Sequence, residues 1–290
     1  MSSLRRFVQQ EDINFLLTNR VPRIALTRFM GWFSKLRSPW LARTSIALWR
    51  LFTDLDLSEA KAQHYTSLHD CFTRELQPGA RPINTADDML CSPSDGIVGS
   101  CGQVNGTQVF QAKGFPYDLK ELFGPSQDTT PSENGVYITL RLTSAMYHRF
   151  HAPHDGVVEH VTYISGDTWN VNPIALKRVE KLFCRNERAV VNMRLKHGGH
   201  RIALVPVAAI LVASMRLHFV NVLLHLRYQG PNEIPCQAAL QKGQEMGWFE
   251  HGSTIIVFAP KGFELLPHVV AGARVRMGEG LMKVAQESDR

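Results

Sequence analysis

Ser253-Thr254-Ile255-Ile256-Val257-Phe258 follows directly on Glu250-His251-Gly252. Four of these residues are β-branched and four in a row are apolar, so the run reads as a short buried strand entered through a glycine. The same texture spreads outward from it. From about Leu90 onward, short apolar runs alternate with Gly, Pro and Asp turns. Residues 96–100, 135–142, 156–164, 189–195, 202–213, 219–228 and 273–277 all read as strands. Turns this frequent suit mostly antiparallel pairing, and residues 126–134 form a polar loop. The chain shows no internal repeat.

The first part of the chain differs. Between Arg20 and Arg50 stand seven basic residues and no acidic one, interleaved with apolar side chains and three of the five tryptophans. This pattern predicts amphipathic helices, with Pro39 opening the second of two and Ser38 capping it. Residues 57–74 read as a further helix, and Pro78-Gly79-Ala80-Arg81-Pro82 breaks the pattern. The fold class expected is therefore α+β: N-terminal amphipathic helices on a β-rich domain. The boundary is set near residue 75, with a helical segment over 1–75 and a catalytic domain over 76–290.

A 290-residue chain with 44% hydrophobic and 20% charged residues has enough apolar surface for a real core. Net charge +6 favours an anionic partner. A cationic, Trp-rich helical face suits the headgroup layer of a membrane. No signal peptide and no spanning helix are expected. The five cysteines (Cys71, Cys91, Cys101, Cys184, Cys236) are widely spaced, and no Cys-x-x-Cys pair occurs. They support neither a disulfide framework nor a zinc site, so no metal is expected. Nothing resembles a nucleic-acid reader.

Three clusters could carry chemistry. Ser92-Pro93-Ser94-Asp95-Gly96 offers a carboxylate, and by itself is a turn. Tyr147-His148-Arg149-Phe150-His151 offers two imidazoles, which point to opposite faces of an extended segment. Gly252-Ser253-Thr254 offers a nucleophile. Asp95, His151 and Ser253 together have the logic of an activated serine, in which a carboxylate orients an imidazole that takes the hydroxyl proton. A glycine before the serine leaves its carbonyl open to attack.

At this point a resemblance becomes specific. Lys242-Gly243-Gln244-Glu245-Met246-Gly247 followed by Gly252-Ser253-Thr254 resembles the self-cleavage region of the short bacterial phosphatidylserine decarboxylases. Pro93-Ser94-Asp95-Gly96, Gln111-Ala112-Lys113-Gly114, Tyr147-His148-Arg149 with His151, Gly166-Asp167 with Val171-Asn172-Pro173, and Phe183 with Arg185-Asn186-Glu187-Arg188 are similar to further family segments in the same order.

The resemblance implies a proenzyme cut between Gly252 and Ser253. Asp95 would orient His151, and His151 would deprotonate Ser253. Ester formation and elimination would then leave a pyruvoyl group at position 253, the implied cofactor. Its ketone would take the amine of phosphatidylserine as an imine, carbon dioxide would leave, and phosphatidylethanolamine would be released. His148 is the implied assistant in decarboxylation or proton delivery. The implied partners are phosphatidylserine, an anionic membrane surface, the enzyme's own small chain (253–290) and, compatibly, a second copy in a homodimer. The implied place is the cytoplasmic face of the inner membrane, peripherally bound.

The chain departs from the family pattern in three places. His251 stands where an apolar residue is usual. Val212-Ala213-Ser214 replaces a glycine-bearing Val-Gly-Ser, which predicts a differently shaped pocket. Thr143-Ser144-Ala145-Met146 precedes Tyr-His-Arg in place of Ser-Pro and an acid. The residues alone also allow a lipid-acting serine hydrolase using Asp95, His151 and Ser253, although no Gly-x-Ser-x-Gly elbow is present. A non-enzymatic membrane-surface module and a pyruvoyl enzyme for a small amino acid remain open as well.

Overall fold

The computed structural model describes residues 11–285 except 112–114, 212–213, 221–222, 226–227, 231 and 251–252. Three helices come first: α1 (Glu11–Asn19), α2 (Arg23–Phe33) and α3 (Pro39–Phe52). Pro39 opens α3, where its missing N–H costs nothing, and the Ser38 hydroxyl accepts from Leu41 N–H. The helix expected over 57–74 shrinks to α4 (Leu68–Phe72). Upstream of it, Asp56 accepts from Ser58 N–H and Ser67 caps Asp70 N–H, so short polar side chains take backbone groups that a longer helix would need.

The strands are β1 (Met89–Cys91), β2 (Gly96–Gln103), β3 (Gln108–Phe110), β4 (Pro116–Asp118), β5 (Val136–Leu142), β6 (Arg149–His151), β7 (Gly156–Ile164), β8 (Arg188–Leu195) and β9 (Arg201–Ala208). They continue with β10 (Ser214–Leu217), β11 (Leu223–His225), β12 (Glu233–Leu240), β13 (Glu245–Phe249), β14 (Ser253–Ala259), β15 (Phe263–Leu265), β16 (Arg274–Val275) and β17 (Gly280–Val284). Short helices α5 (Leu119–Phe123), α6 (Pro173–Leu176) and α7 (Leu182–Arg185) interrupt the series. The expected strand over 202–213 stops at Ala208, because Leu211 turns to φ +72° and gives its N–H to the Thr27 hydroxyl of α2. Of 219–228 only Leu223–His225 is strand.

An eight-stranded antiparallel sheet, ordered β12-β7-β8-β9-β14-β5-β2-β16, is the frame. A four-stranded sheet, β11-β10-β13-β6, covers one face, and Phe150, Met215, Leu217 and Phe249 meet Leu142, Ala208 and Ile255 there. The β3–β4 hairpin and helices α5 and α7 cover the other face, packing Tyr117, Phe123 and Phe183 on Val205, Ile256 and Phe258. Strand β14 is therefore buried along its whole length, which explains its unbroken apolar run.

The N-terminal helices are pinned to this frame. Arg23 forks onto Asp167 at 2.7 Å and lies 3.8 Å over the Trp169 ring. Lys35 pairs with Glu250 at 2.8 Å. Their outer faces keep large apolar groups in solvent, among them Trp40 (75% exposed) and Leu51 (69%).

Candidate functional site

Ser253 is the first residue of β14, paired with Leu142 of β5 on one side and Ala208 of β9 on the other. It is fully buried, and its hydroxyl has no hydrogen-bond partner among the described residues. Burying a hydroxyl unpaired costs about 1–3 kcal/mol, so its retention asks for a use. His251 and Gly252, the other residues of the expected cut, lie outside the described residues, as do Val212 and Ala213.

His148 is also fully buried. Its ring packs 4.0 Å from the Phe72 ring, and Nδ1 donates to the Met146 carbonyl at 2.8 Å. A carbonyl can only accept, so Nδ1 carries a proton. The His148 carbonyl in turn accepts from Phe249 N–H, at the end of the strand that leads into Ser253. His148 is thereby fastened to the chain just upstream of the serine.

His151 lies on β6 with Nδ1 2.9 Å from the Gly243 carbonyl, which fixes its tautomer in the same way. Its Nε2 then accepts from the Tyr147 hydroxyl at 3.0 Å. Burial pushes its pKa below the ordinary histidine value, against an opposing effect of the Gly243 carbonyl and of Glu245. Gly243 holds φ +80°, and a Cβ there would fall 2.0 Å from Ile83 Cδ1, so only glycine presents this carbonyl to the ring.

The direct Asp95–His151 hydrogen bond expected from the sequence is not made. Asp95 is forked by Arg81, with Nε at 2.8 Å and Nη2 at 2.6 Å, and accepts from Met277 N–H at 3.0 Å. Two charge-assisted bonds in fork geometry outcompete one bond to a neutral imidazole. The two residues nevertheless sit on joined segments, since His151 N–H donates to the Pro93 carbonyl at 2.7 Å. No hydrogen bond links His151 to Ser253 among the described residues. The structure thus places His148 beside the chain entering Ser253 and keeps Asp95 and His151 in a neighbouring polar cluster with Arg81 and Tyr147.

Two cavities meet at this end of the sheet. One, of about 670 Å³, is largely apolar and runs from α2 and α3 to the ends of β5 and β9, with Leu48, Trp49, Phe52, Leu142 and Ala209 among its walls. The other, of about 320 Å³, holds Arg81, Asp95 and Tyr147. Thr53, Thr143 and Ser144 border both.

Sequence reasoning missed Arg81 and the partner roles of Tyr147 and Gly243. It also missed Glu187, whose fully buried carboxyl lies near the Tyr163 hydroxyl outside hydrogen-bond geometry; burial raises its pKa to about 8 against an opposing effect of Tyr163. Glu187 is two strands from Ser253 in the same cross-strand row and on the same sheet face, with Ala208 between them. The signal was present, in Arg185-Asn186-Glu187-Arg188, but an acid inside a strand run is read as a surface residue. Other motif residues prove to be braces. Gln111 bonds Leu176 O, Val179 O and Leu182 N, and Arg188 bonds the carbonyls of Glu121, Leu122, Cys184 and Asn186.

Comparison with known proteins identifies the family. Residues 68–283 match the family model described as phosphatidylserine decarboxylase. A phosphatidylserine decarboxylase proenzyme of Methylobacillus flagellatus is 37% identical over 252 residues, covering 84% of this chain and 89% of that one. That of Shewanella sediminis is 33% identical over 289 residues, covering 94% and 99%. That of Saccharophagus degradans is 30% identical over 287 residues, covering 96% and 100%. With a match across most of the chain and relatives aligned almost end to end, this protein belongs to the phosphatidylserine decarboxylase family.

Proposed function

We propose that this decarboxylase matures by cutting its own chain between Gly252 and Ser253, and then converts phosphatidylserine to phosphatidylethanolamine. The observation that carries the reading is Ser253 itself: a fully buried serine whose hydroxyl has no hydrogen-bond partner among the described residues, paired across the sheet with Leu142, which lines an apolar cavity. Ser253 Oγ attacks the Gly252 carbonyl, and its proton passes to the His151 side of the site. His151 suits a base because burial keeps the ring neutral and the Gly243 carbonyl directs the basic lone pair to Nε2. The Tyr147 hydroxyl now occupies that lone pair, so it must yield or relay the proton. Asp95, ion-paired with Arg81, acts on the ring through its field and by bracing the segment.

A pyruvoyl group fits position 253. It has fewer polar hydrogens than serine, and no partner of Oγ would be stranded by its formation. Once formed, its ketone supplies the electron sink for breaking the carbon–carbon bond. His148, held by Met146 and Phe72 beside the entry to β14, moves the proton that replaces the lost carboxylate. The apolar walls of the larger cavity exclude water from that exchange.

Residues 1–75 would form the membrane-associating segment and 76–290 the catalytic domain. Exposed Phe29, Trp32, Trp40, Leu48, Leu51 and Phe52, together with the basic residues of α2 and α3, support docking on an anionic membrane surface from one side. No helix of the described residues is long and apolar enough to cross a membrane. The cytoplasmic face of the inner membrane is the surface we assign.

The deciding experiment is intact mass of the purified protein. Two components are expected, the smaller one starting at position 253 with a blocked, carbonyl-bearing terminus. Ser253→Ala should remain one chain without decarboxylase activity. A wild-type protein that stays whole yet decarboxylates would sink the reading.

A further inference from the structure

The larger cavity has one charged side chain among the described residues that line it, Arg141. Its other walls are aliphatic and aromatic groups with a few neutral polar ones, notably Thr143, Ser144, Asn170 and Asn172. Arg141 is half-buried on β5, paired across the strand with Thr254, one residue beyond Ser253. It makes no hydrogen bond and no ion pair with the described residues. Its one charged neighbour has the same sign: Arg274, two strands away in the same cross-strand row through Ile97. Burial and Arg274 both lower its pKa. A partly desolvated guanidinium with five donors and no acceptor is a site prepared for an anion.

We propose that Arg141 grips the phosphodiester of the lipid substrate inside this cavity. The proposal rests on the reading of the preceding section for what the substrate is. The headgroup carries two anions, and the chemistry separates them. A fixed cation on the carboxylate would hold the ground state more firmly than a transition state in which that charge is leaving, and would slow the reaction. The phosphodiester keeps its charge throughout, so gripping it positions the headgroup at no cost to the barrier.

Position also favours this anion. The ketone of a pyruvoyl group is built on the former Cα of residue 253, in the line of the sheet between β5 and β9, and Arg141 stands on the adjoining strand. Leu48 and Phe52 line the cavity and are also exposed on the helical face, so an acyl-bearing molecule has an unbroken apolar route from outside to Arg141.

The test uses dihexanoyl phosphatidylglycerol, a soluble phosphodiester with no amine and so inert to a ketone. Its Kd is measured by calorimetry on the full-length wild type and on Arg141→Gln. Charge-assisted hydrogen bonds predict weakening by about ten- to hundredfold, with Arg141→Lys between the two. With dihexanoyl phosphatidylserine, the loss should fall on KM rather than kcat. A cooperative thermal transition followed by circular dichroism checks that each variant has folded. Should Arg141→Gln not fold, Arg141→Lys alone decides, and its Kd must still exceed the wild-type value. An unchanged Kd overturns the proposal, as does a fall in kcat with KM preserved, which would put Arg141 on the carboxylate. The binding arm needs no cleavage, so failure of the maturation reading would register separately.

Discussion

Two buried ionisable groups give the molecule opposite pH signatures. His151 has a lowered pKa, so its base form persists below the ordinary value of about 6.5. As pH falls through that lowered value the ring takes a proton and the base is lost. Maturation followed by the appearance of the two chains should therefore hold its rate down to pH about 6.5 and decline only below it; a decline beginning above that point would exclude His151 as the base. Glu187 runs the other way. Unfolded it titrates near 4.5, and folded near 8. Between these values the folded state holds a proton that the unfolded chain has released. Its contribution to stability is complete below 4.5 and is lost as pH rises through about 8. Glu187→Gln, a neutral isostere, should flatten the fall of Tm between pH 5 and 8. Equal slopes in variant and wild type would show that the carboxyl finds a partner when folded.

At the scale of elements, strand β13 and the turn before it decide where His151 points. Gly247 lets β13 approach β10, since a Cβ there would lie 1.8 Å from the Arg216 carbonyl oxygen, and Gly243 aims its own carbonyl at the ring. Gly243→Ala should slow maturation by about tenfold or more through a strained turn and a displaced Ile83, and should also lower Tm. Normal maturation in that variant would mean the carbonyl is dispensable. Much of this level was legible beforehand. Period-two and unbroken apolar runs marked β5, β7, β8 and β14, and Ser38-Pro39 marked the start of α3. The short strands β6, β10, β11 and β13 were not legible as a sheet, because what holds them is contact with Leu142, Ala208 and Ile255 across the core rather than any local pattern. The helix over 57–74 was overread, since its apolar spacing did not reveal that Asp56 and Ser67 would claim the backbone. In the site, Ser253, His148, His151 and Asp95 stood out by residue type. The Arg81 fork did not, because Arg81 and Asp95 meet only through folding.

At the scale of the whole molecule, one side is built of exposed tryptophan, phenylalanine and leucine among basic residues. Wild-type protein should co-sediment with vesicles containing phosphatidylserine or phosphatidylglycerol. Trp40→Ala combined with Leu51→Ala should weaken that binding by about tenfold or more without reducing maturation. Added salt should weaken the wild type on anionic vesicles and leave any residual binding to neutral ones unchanged. Binding that survives both changes would place the membrane contact elsewhere.

Strand β14 runs through the middle of the eight-stranded sheet, between β9 and β5, and the chain after it supplies β15, β16 and β17. A cut before Ser253 therefore does not free a peptide from a surface; it leaves a fragment threaded through the core. Cut as proposed, the enzyme would fold once, as a single covalent chain, and would afterwards be two molecules whose reunion from a denatured mixture would be a second-order encounter. Its persistence in the cell would then be a matter of how slowly it opens, and the proposed maturation would make it an object that is replaced rather than repaired.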